Sequence, residues 1–259
     1  MIYLQEVPGT HPTVSFCSSP FCILDVDSLV SSGLAILLTL ILLFAIAFRL
    51  SHGVPEKLQL VIEFLLNYIR EQVEQAVGPT APFVIPLAAT IALYILIANW
   101  IEFFPLPAPY LIPANSDINQ TVAMAIVVFI WTNVYSLRVL GLRGFLRRFT
   151  KPFDASWGLR LVFIPINIIE EIAKPLSLAL RLFGNIFAGV VMVFVIVKLL
   201  PVFLAWIPLT AWKLFDVFII GTIQAFIFML LTIIYFGQAR EGLEEEGHAE
   251  HGAPRSAAA

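Results

Sequence analysis

Residues Leu161–Leu200 read LVFIPINIIEEIAKPLSLALRLFGNIFAGVVMVFVIVKLL. A run this apolar cannot be covered by one water-soluble core, and it is far longer than the roughly 20 residues that cross a hydrocarbon layer of about 30 Å. Tilt, or a partly horizontal course inside the membrane, must absorb the excess. After Pro201 a second long apolar run, Val202–Phe236, returns the chain. The two together predict a long tilted intramembrane hairpin.

Upstream, three shorter runs have the length of a single crossing, over residues 29–48, 82–101 and 120–137. Five transmembrane passes are therefore expected, in an all-α integral membrane protein with a membrane domain over 29–240. The composition agrees. Of 259 residues, 59% are apolar and only 13% charged, with a mean hydropathy of +0.92; a soluble domain carries about twice that charge. So few charges leave no basic surface for nucleic acid. Cys17 and Cys22, with four residues between them, are too few for a disulfide scaffold or a four-ligand zinc site. They read either as a local disulfide in an oxidising compartment or as two inert thiols. No basic stretch precedes the first apolar run, so a cleaved signal peptide is not expected.

Residues 55–77 have a different character. Leu58, Val61, Phe64, Leu65, Tyr68, Ile69 and Val73 recur at helical spacing, with Glu63, Asn67, Arg70, Glu71 and Glu74 on the other side. This predicts an amphipathic helix at the membrane surface, or docked on another subunit. Basic residues set the orientation. Arg138, Arg143, Arg147, Arg148, Lys151 and Arg160 crowd the connection after the third span, and Arg49 and Lys57 follow the first, whereas residues 1–28 and 102–119 contain no Lys or Arg. The segment 1–28 is expected outside and the tail 241–259, rich in Glu, Gly and Ala, is expected as a disordered cytoplasmic extension. No internal repeat is evident, which counts against an inverted-repeat transporter.

Within the forty residues first quoted lie Glu170, Glu171, Lys174 and, deepest, Arg181. An ionisable group in a spanning segment costs at least about 2.5–3.5 kcal/mol on insertion scales, so each needs a physical reason. On a helix, Glu170, Lys174, Ser177, Arg181 and Asn185 fall on one face and form a polar stripe. Such a stripe lines water, a proton path or a partner's polar site. Arg181 stays charged at any relevant pH, and a permanent positive charge favours the ionised form of a carboxylate brought near it. The plainer alternative is an arginine paired within its own chain, with Asp216. In the last run, Asp216 can donate and accept a proton and Gln224 can hydrogen-bond across helices; Lys213 is a local salt-bridge partner for Asp216 in the plainer reading. The four histidines all fall outside the spans, and no HExxH, P-loop, nucleophile elbow or dinucleotide fingerprint occurs. No metal site, no cofactor and no catalysis by this chain alone are expected.

The segment Lys174-Pro-Leu-Ser-Leu-Ala-Leu-Arg181-Leu-Phe-Gly-Asn185-Ile-Phe-Ala-Gly189 resembles the signature of subunit a of the F-type ATP synthase. Gly221-Thr-Ile-Gln224-Ala-Phe-Ile-Phe-Met-Leu-Leu-Thr-Ile-Ile-Tyr235 resembles that family's final helix, and Ser116-Asp117-Ile118-Asn119 is similar to a third family block. The resemblance covers most of the chain from about residue 55. It implies a proton-conducting stator subunit against which a ring of small proteolipid c subunits turns. Arg181 would face the ring's carboxylates, and two offset half-channels would connect the ring to the two sides of the membrane. Asp216, Asp117, Asn119 and Glu102 would belong to the outer half-channel, and Glu170, Glu171 and Ser177 to the inner one. Further implied partners are the b-type subunits of a peripheral stalk and the lipid bilayer, in the plasma membrane of a prokaryote. Two positions depart from the family. Val190 stands nine residues after the arginine, where many members carry Glu or His, and Val217 stands seven before the glutamine, where many carry His or Glu. Asp216 is expected to take over the proton-handling role of the second. The contrasting readings are a free-standing ion channel or carrier, and a purely structural membrane scaffold.

Overall fold

The computed structural model describes residues 13–15, 23–50, 57–78, 81–101, 103, 115, 117–149 and 157–240. Among the described residues the fold is helical apart from one short pair of strands. β1 (Thr13–Ser15) pairs antiparallel with β2 (Ile23–Asp25), Thr13 opposite Asp25; strands of three residues are too short for side-chain alternation to announce them. Cys17, Cys22, Glu102 and the tail 241–259 lie outside the described residues.

Seven α-helices follow: α1 (Val26–Arg49), α2 (Lys57–Ala76), α3 (Val84–Ile101), α4 (Ile118–Arg148), α5 (Trp157–Leu199), α6 (Val202–Leu214) and α7 (Gly221–Gln238). A π-helical segment, Phe215–Ile220, joins α6 to α7 in one rod. Five of the resulting rods are long and apolar enough to cross a membrane. Helices are the economical solution here because the hydrocarbon offers backbone amides no other partner. The hydroxyls on them obey the same rule. Thr39, Thr132 and Thr232 each donate to the carbonyl one turn back, at 2.7, 2.8 and 2.9 Å. Helix α5 has 43 residues, about 65 Å at 1.5 Å per residue, twice the hydrocarbon thickness. Helix α4 is interrupted at Gly141, whose φ of 67° only glycine adopts cheaply.

Helix α7 is the spine. It packs along α3, receives α2 near its end, and meets α5 through a cluster of Leu178, Leu182 and Ile186 against Ala225 and Phe228. Helix α1 rests on α3 alone among the spanning helices it touches most, and most of its Leu and Ile side chains are exposed. Helix α2 divides along its length. Ile69, Val73 and Val77 are buried in this chain's own core beside Val84, Ile233 and Phe236, while Leu60, Val61, Phe64 and Leu65 remain exposed. Its second half is thus docked on its own chain, and only its first half offers an apolar face outward.

The docking is locked at the helix end. Gly78, at φ 78°, closes α2 as a left-handed cap, donating to Val73 O and Glu74 O. The Arg240 guanidinium donates to Val77 O, Ser136 Oγ donates to Ala239 O at 3.2 Å, and Gly237 lies directly on Ala76. A Cβ at Gly237 would stand 2.7 Å from the Ala76 carbonyl oxygen, which is backbone and cannot swing aside. Gly237→Val is expected to cost about 1–3 kcal/mol through overpacking and to lower the midpoint of heat-induced dissociation of the purified complex. Gly33→Ala, where nothing lies within 4 Å of the added carbon, should leave that midpoint unchanged.

Candidate functional site

The two faces of α5 have opposite fates. Leu178, Ala179, Leu182, Ile186 and Gly189 point into the bundle and are buried, whereas Ser177, Arg181 and Phe187 point outward. Arg181 is exposed, as are Leu176 and Leu180 near it on the helix, and among the described residues it forms no ion pair. A bare guanidinium at hydrocarbon depth is costly unless something polar approaches from outside the chain. Asn185 is half-buried on the same flank and Glu170 is exposed.

About 10 Å along α5 from Arg181, at 1.5 Å per residue, Lys174 turns inward. Its Nζ donates to Glu171 at 2.7 Å and lies 3.7 Å from Glu170, and its side chain is only 14% exposed. The Tyr235 hydroxyl donates to the Lys174 carbonyl at 3.3 Å, so α7 touches the stripe here. Glu171, Lys174, Thr132 and Tyr235 share the wall of one small cavity with Pro175 and Leu178.

About 12 Å from Arg181 in the opposite direction lies a second polar cluster. Asp216 is buried, 7% exposed, with its carboxylate against Gly189. A Cβ on Gly189 would overlap Asp216 Oδ2 and stand 3.0 Å from its Cγ, so only glycine leaves room for the carboxylate in this position. Gln224 is buried further along the same rod. Beside them, Asn99 Nδ2 donates to Gly221 O at 3.1 Å, and Asn115 Nδ2 donates to Asn99 Oδ1 at 2.8 Å. Asn115 Oδ1 is buried with no hydrogen-bond donor among the described residues. Asp117 accepts the Asn119 N–H at 2.8 Å on Oδ1, and its carbonyl accepts the Thr121 N–H at 3.2 Å; it caps the start of α4. The Asn119 side chain is exposed.

Of the residues singled out from sequence, Asp216 and Gln224 share one buried region, Glu171 and Lys174 are largely covered together with the exposed Glu170 beside them, and Ser177, Arg181 and Asn185 occupy the outward flank between. Asp117 has a local capping bond that spacing alone did not suggest. Asn99, Asn115 and Gly189 were not anticipated. Asn99 carried a usable signal, being an amide in an otherwise apolar span and subject to the same insertion cost as the charges. Asn115 and Gly189 carried none, since a loop amide and a helical glycine are unremarkable until their neighbours are known.

The fold and site define a multi-pass helical membrane protein with a positive charge exposed on its longest helix and a polar cluster to either side of it. The family model described as ATP synthase A chain matches residues 29–237. "ATP synthase subunit a" of Acidothermus cellulolyticus is 40% identical over 250 residues, 94% of this chain and 88% of the relative. The proteins of the same name from Mycobacterium ulcerans (41% identical; 94% and 96% covered) and Vibrio vulnificus (37%; 86% and 87%) are similar over comparable lengths. The chain belongs to the ATP synthase subunit a family. It is a non-catalytic membrane component of an ATP synthase, with the other subunits of that complex as partners.

Gly189→Ala is expected to displace the Asp216 carboxylate and, through overpacking worth about 1–3 kcal/mol, to lower the midpoint of heat-induced dissociation of the purified complex.

Proposed function

We propose that this chain is the proton-conducting stator subunit of the F-type ATP synthase, exchanging protons with the carboxylates of a rotating c-ring through two offset half-channels. The observation that carries this reading is the outward Arg181 with a polar cluster about two turns away along α5 in each direction. Each ring carboxylate is neutral while it faces lipid and ionised while it passes Arg181, whose charge compensates it. The same charge repels a proton that would pass directly between the clusters. Asp216 handles protons in the outer half-channel, with Asn99 and Asn115 holding polar contacts beside it and Asp117, Asn119 and Glu102 nearer the mouth. Glu170, Glu171 and Ser177 line the inner one, and Gln224 and Asn185 flank the exchange point. The driving force is about 2.3 kcal/mol per charge per 100 mV, so several protons are pooled through rotation for each ATP.

Asp216 takes over the proton-handling role of the titratable group missing at Val217. Orientation follows the basic loops, with 1–28 outside and 241–259 in the cytoplasm of a prokaryote, across its plasma membrane. The exposed first half of α2 and the basic loop after the third span suit the b-type subunits of a peripheral stalk. A free-standing channel or carrier is the weaker reading, because its own chain would have to neutralise Arg181, and among the described residues no ion pair does so.

Arg181→Ala is expected to abolish ATP-driven pumping and proton-driven synthesis while the complex still assembles, and mild-detergent purification should co-isolate small proteolipids. Unchanged pumping would make the arginine structural. Asp216→Asn is expected to lower proton-driven synthesis about 100-fold or more, the usual scale for a lost proton-transfer group; wild-type proton flux in that variant would remove Asp216 from the path.

A further inference from the structure

Eight residue steps separate Asp216 from Gln224. In an uninterrupted α-helix, at about 100° per residue, eight steps leave two side chains about 80° apart. Val217, at seven steps, would be the residue in line with Gln224, about 20° away. The rod is not an uninterrupted α-helix. Phe215–Ile220 is π-helical, and the Gly221 N–H donates to the Asp216 carbonyl five residues back. A π turn takes in one residue more than an α turn. Eight steps then cover the rotation of seven, and Asp216 comes within about 20° of Gln224.

The surroundings fit such a widened turn. Asp216 and Gln224 are both buried, and the carboxylate seats on the one position of α5, Gly189, that has no side chain to refuse it. The widened backbone bulges toward the periphery, where Ile219 is 49% exposed and the Phe218 ring meets Trp100 and Phe103 at 5.4 and 5.0 Å. At the end of the turn Asn99 donates to the Gly221 carbonyl, and a Cβ on Gly221 would stand only 3.1 Å from Asn99 Cβ. We infer that the π turn is a register device: it brings the carboxylate at position 216 into line with Gln224 and onto Gly189, so that Asp216, and not position 217, presents the acid to the proton path. The inference rests on the proton-handling role proposed above for Asp216, and it adds how the backbone positions that group. In an uninterrupted α-helix the acid would be turned away from Gln224 by about 80°, and the π turn removes that offset.

Inverted vesicles carrying the intact ATP synthase test it. Deleting Ile219 removes the extra residue, lets the turn close to an α-helix and preserves the register, so ATP-driven pumping is expected within about threefold of wild type. The double substitution Asp216→Val/Val217→Asp keeps the acid but rotates it by about 100°, and pumping is expected to fall about 100-fold, to the level of Asp216→Asn. Near-normal pumping by the double variant, or loss of pumping by an assembled deletion variant, overturns the inference. Should the shortened chain fail to assemble, oxidative trapping decides in the full-length chain with Cys17 and Cys22 replaced by Ser. Gly189→Cys/Asp216→Cys is expected to cross-link and Gly189→Cys/Val217→Cys is not, and the reverse pattern overturns the register. Wild-type pumping by Asp216→Asn alone would instead defeat the proton-handling role, with the trapping result still reporting the register separately.

Discussion

Inside a hydrocarbon layer a polar group has no water to fall back on, and nearly every feature of this chain is a response to that. Backbone amides are satisfied within helices, and threonines turn their hydroxyls to the preceding turn. Lys174 is held by Glu171, and Asn99 and Asn115 are tied to each other and to Gly221. Arg181 is a charged exception. Its charge is permanent, it is exposed on the outward face of α5, and within the described residues no carboxylate meets it. A cost of this kind, tolerated at the centre of the longest helix, marks the surface where a partner must supply the missing polarity.

The remaining packing keeps that helix in place. Leu178, Leu182 and Ile186 bury one side of α5 in a cluster with Ala125 and Val128 of α4 and Ala225 and Phe228 of α7, and α7 is itself laid along α3. The far end of α7 is clamped to α2 by the Gly237–Ala76 contact and by Arg240 on the Val77 carbonyl. The large exposed apolar area along α5 and α6, including Phe203, Trp206 and Ile207, is ordinary for surfaces that meet lipid or another membrane subunit.

How much of this was legible varied by element. The five crossings followed from length and hydropathy, because the thickness of the hydrocarbon sets a span's length whatever its neighbours are. The polar stripe of α5 followed from helical phase, which a straight helix preserves. The surface helix was legible as amphipathic, yet the division of its apolar side into a docked half and an exposed half was not, since periodicity records which residues avoid water and not what covers them. The seat of Asp216 depended on a π turn that spacing rules built on 3.6 residues per turn cannot anticipate.

The sequence by itself therefore determined the class of protein, the number of crossings, the family signature around Arg181 and Gln224, and the identity of the charges that had to have a purpose. Each of these depends on local composition or on spacing within one helix. Only the tertiary structure decided that Arg181 faces outward while Asp216 faces Gly189, that Asn99 and Asn115 join the same cluster, and that one widened turn sets the phase of the carboxylate. Those facts join residues up to 122 positions apart, as in the Asn99–Gly221 bond, and such pairings are set by how whole helices pack.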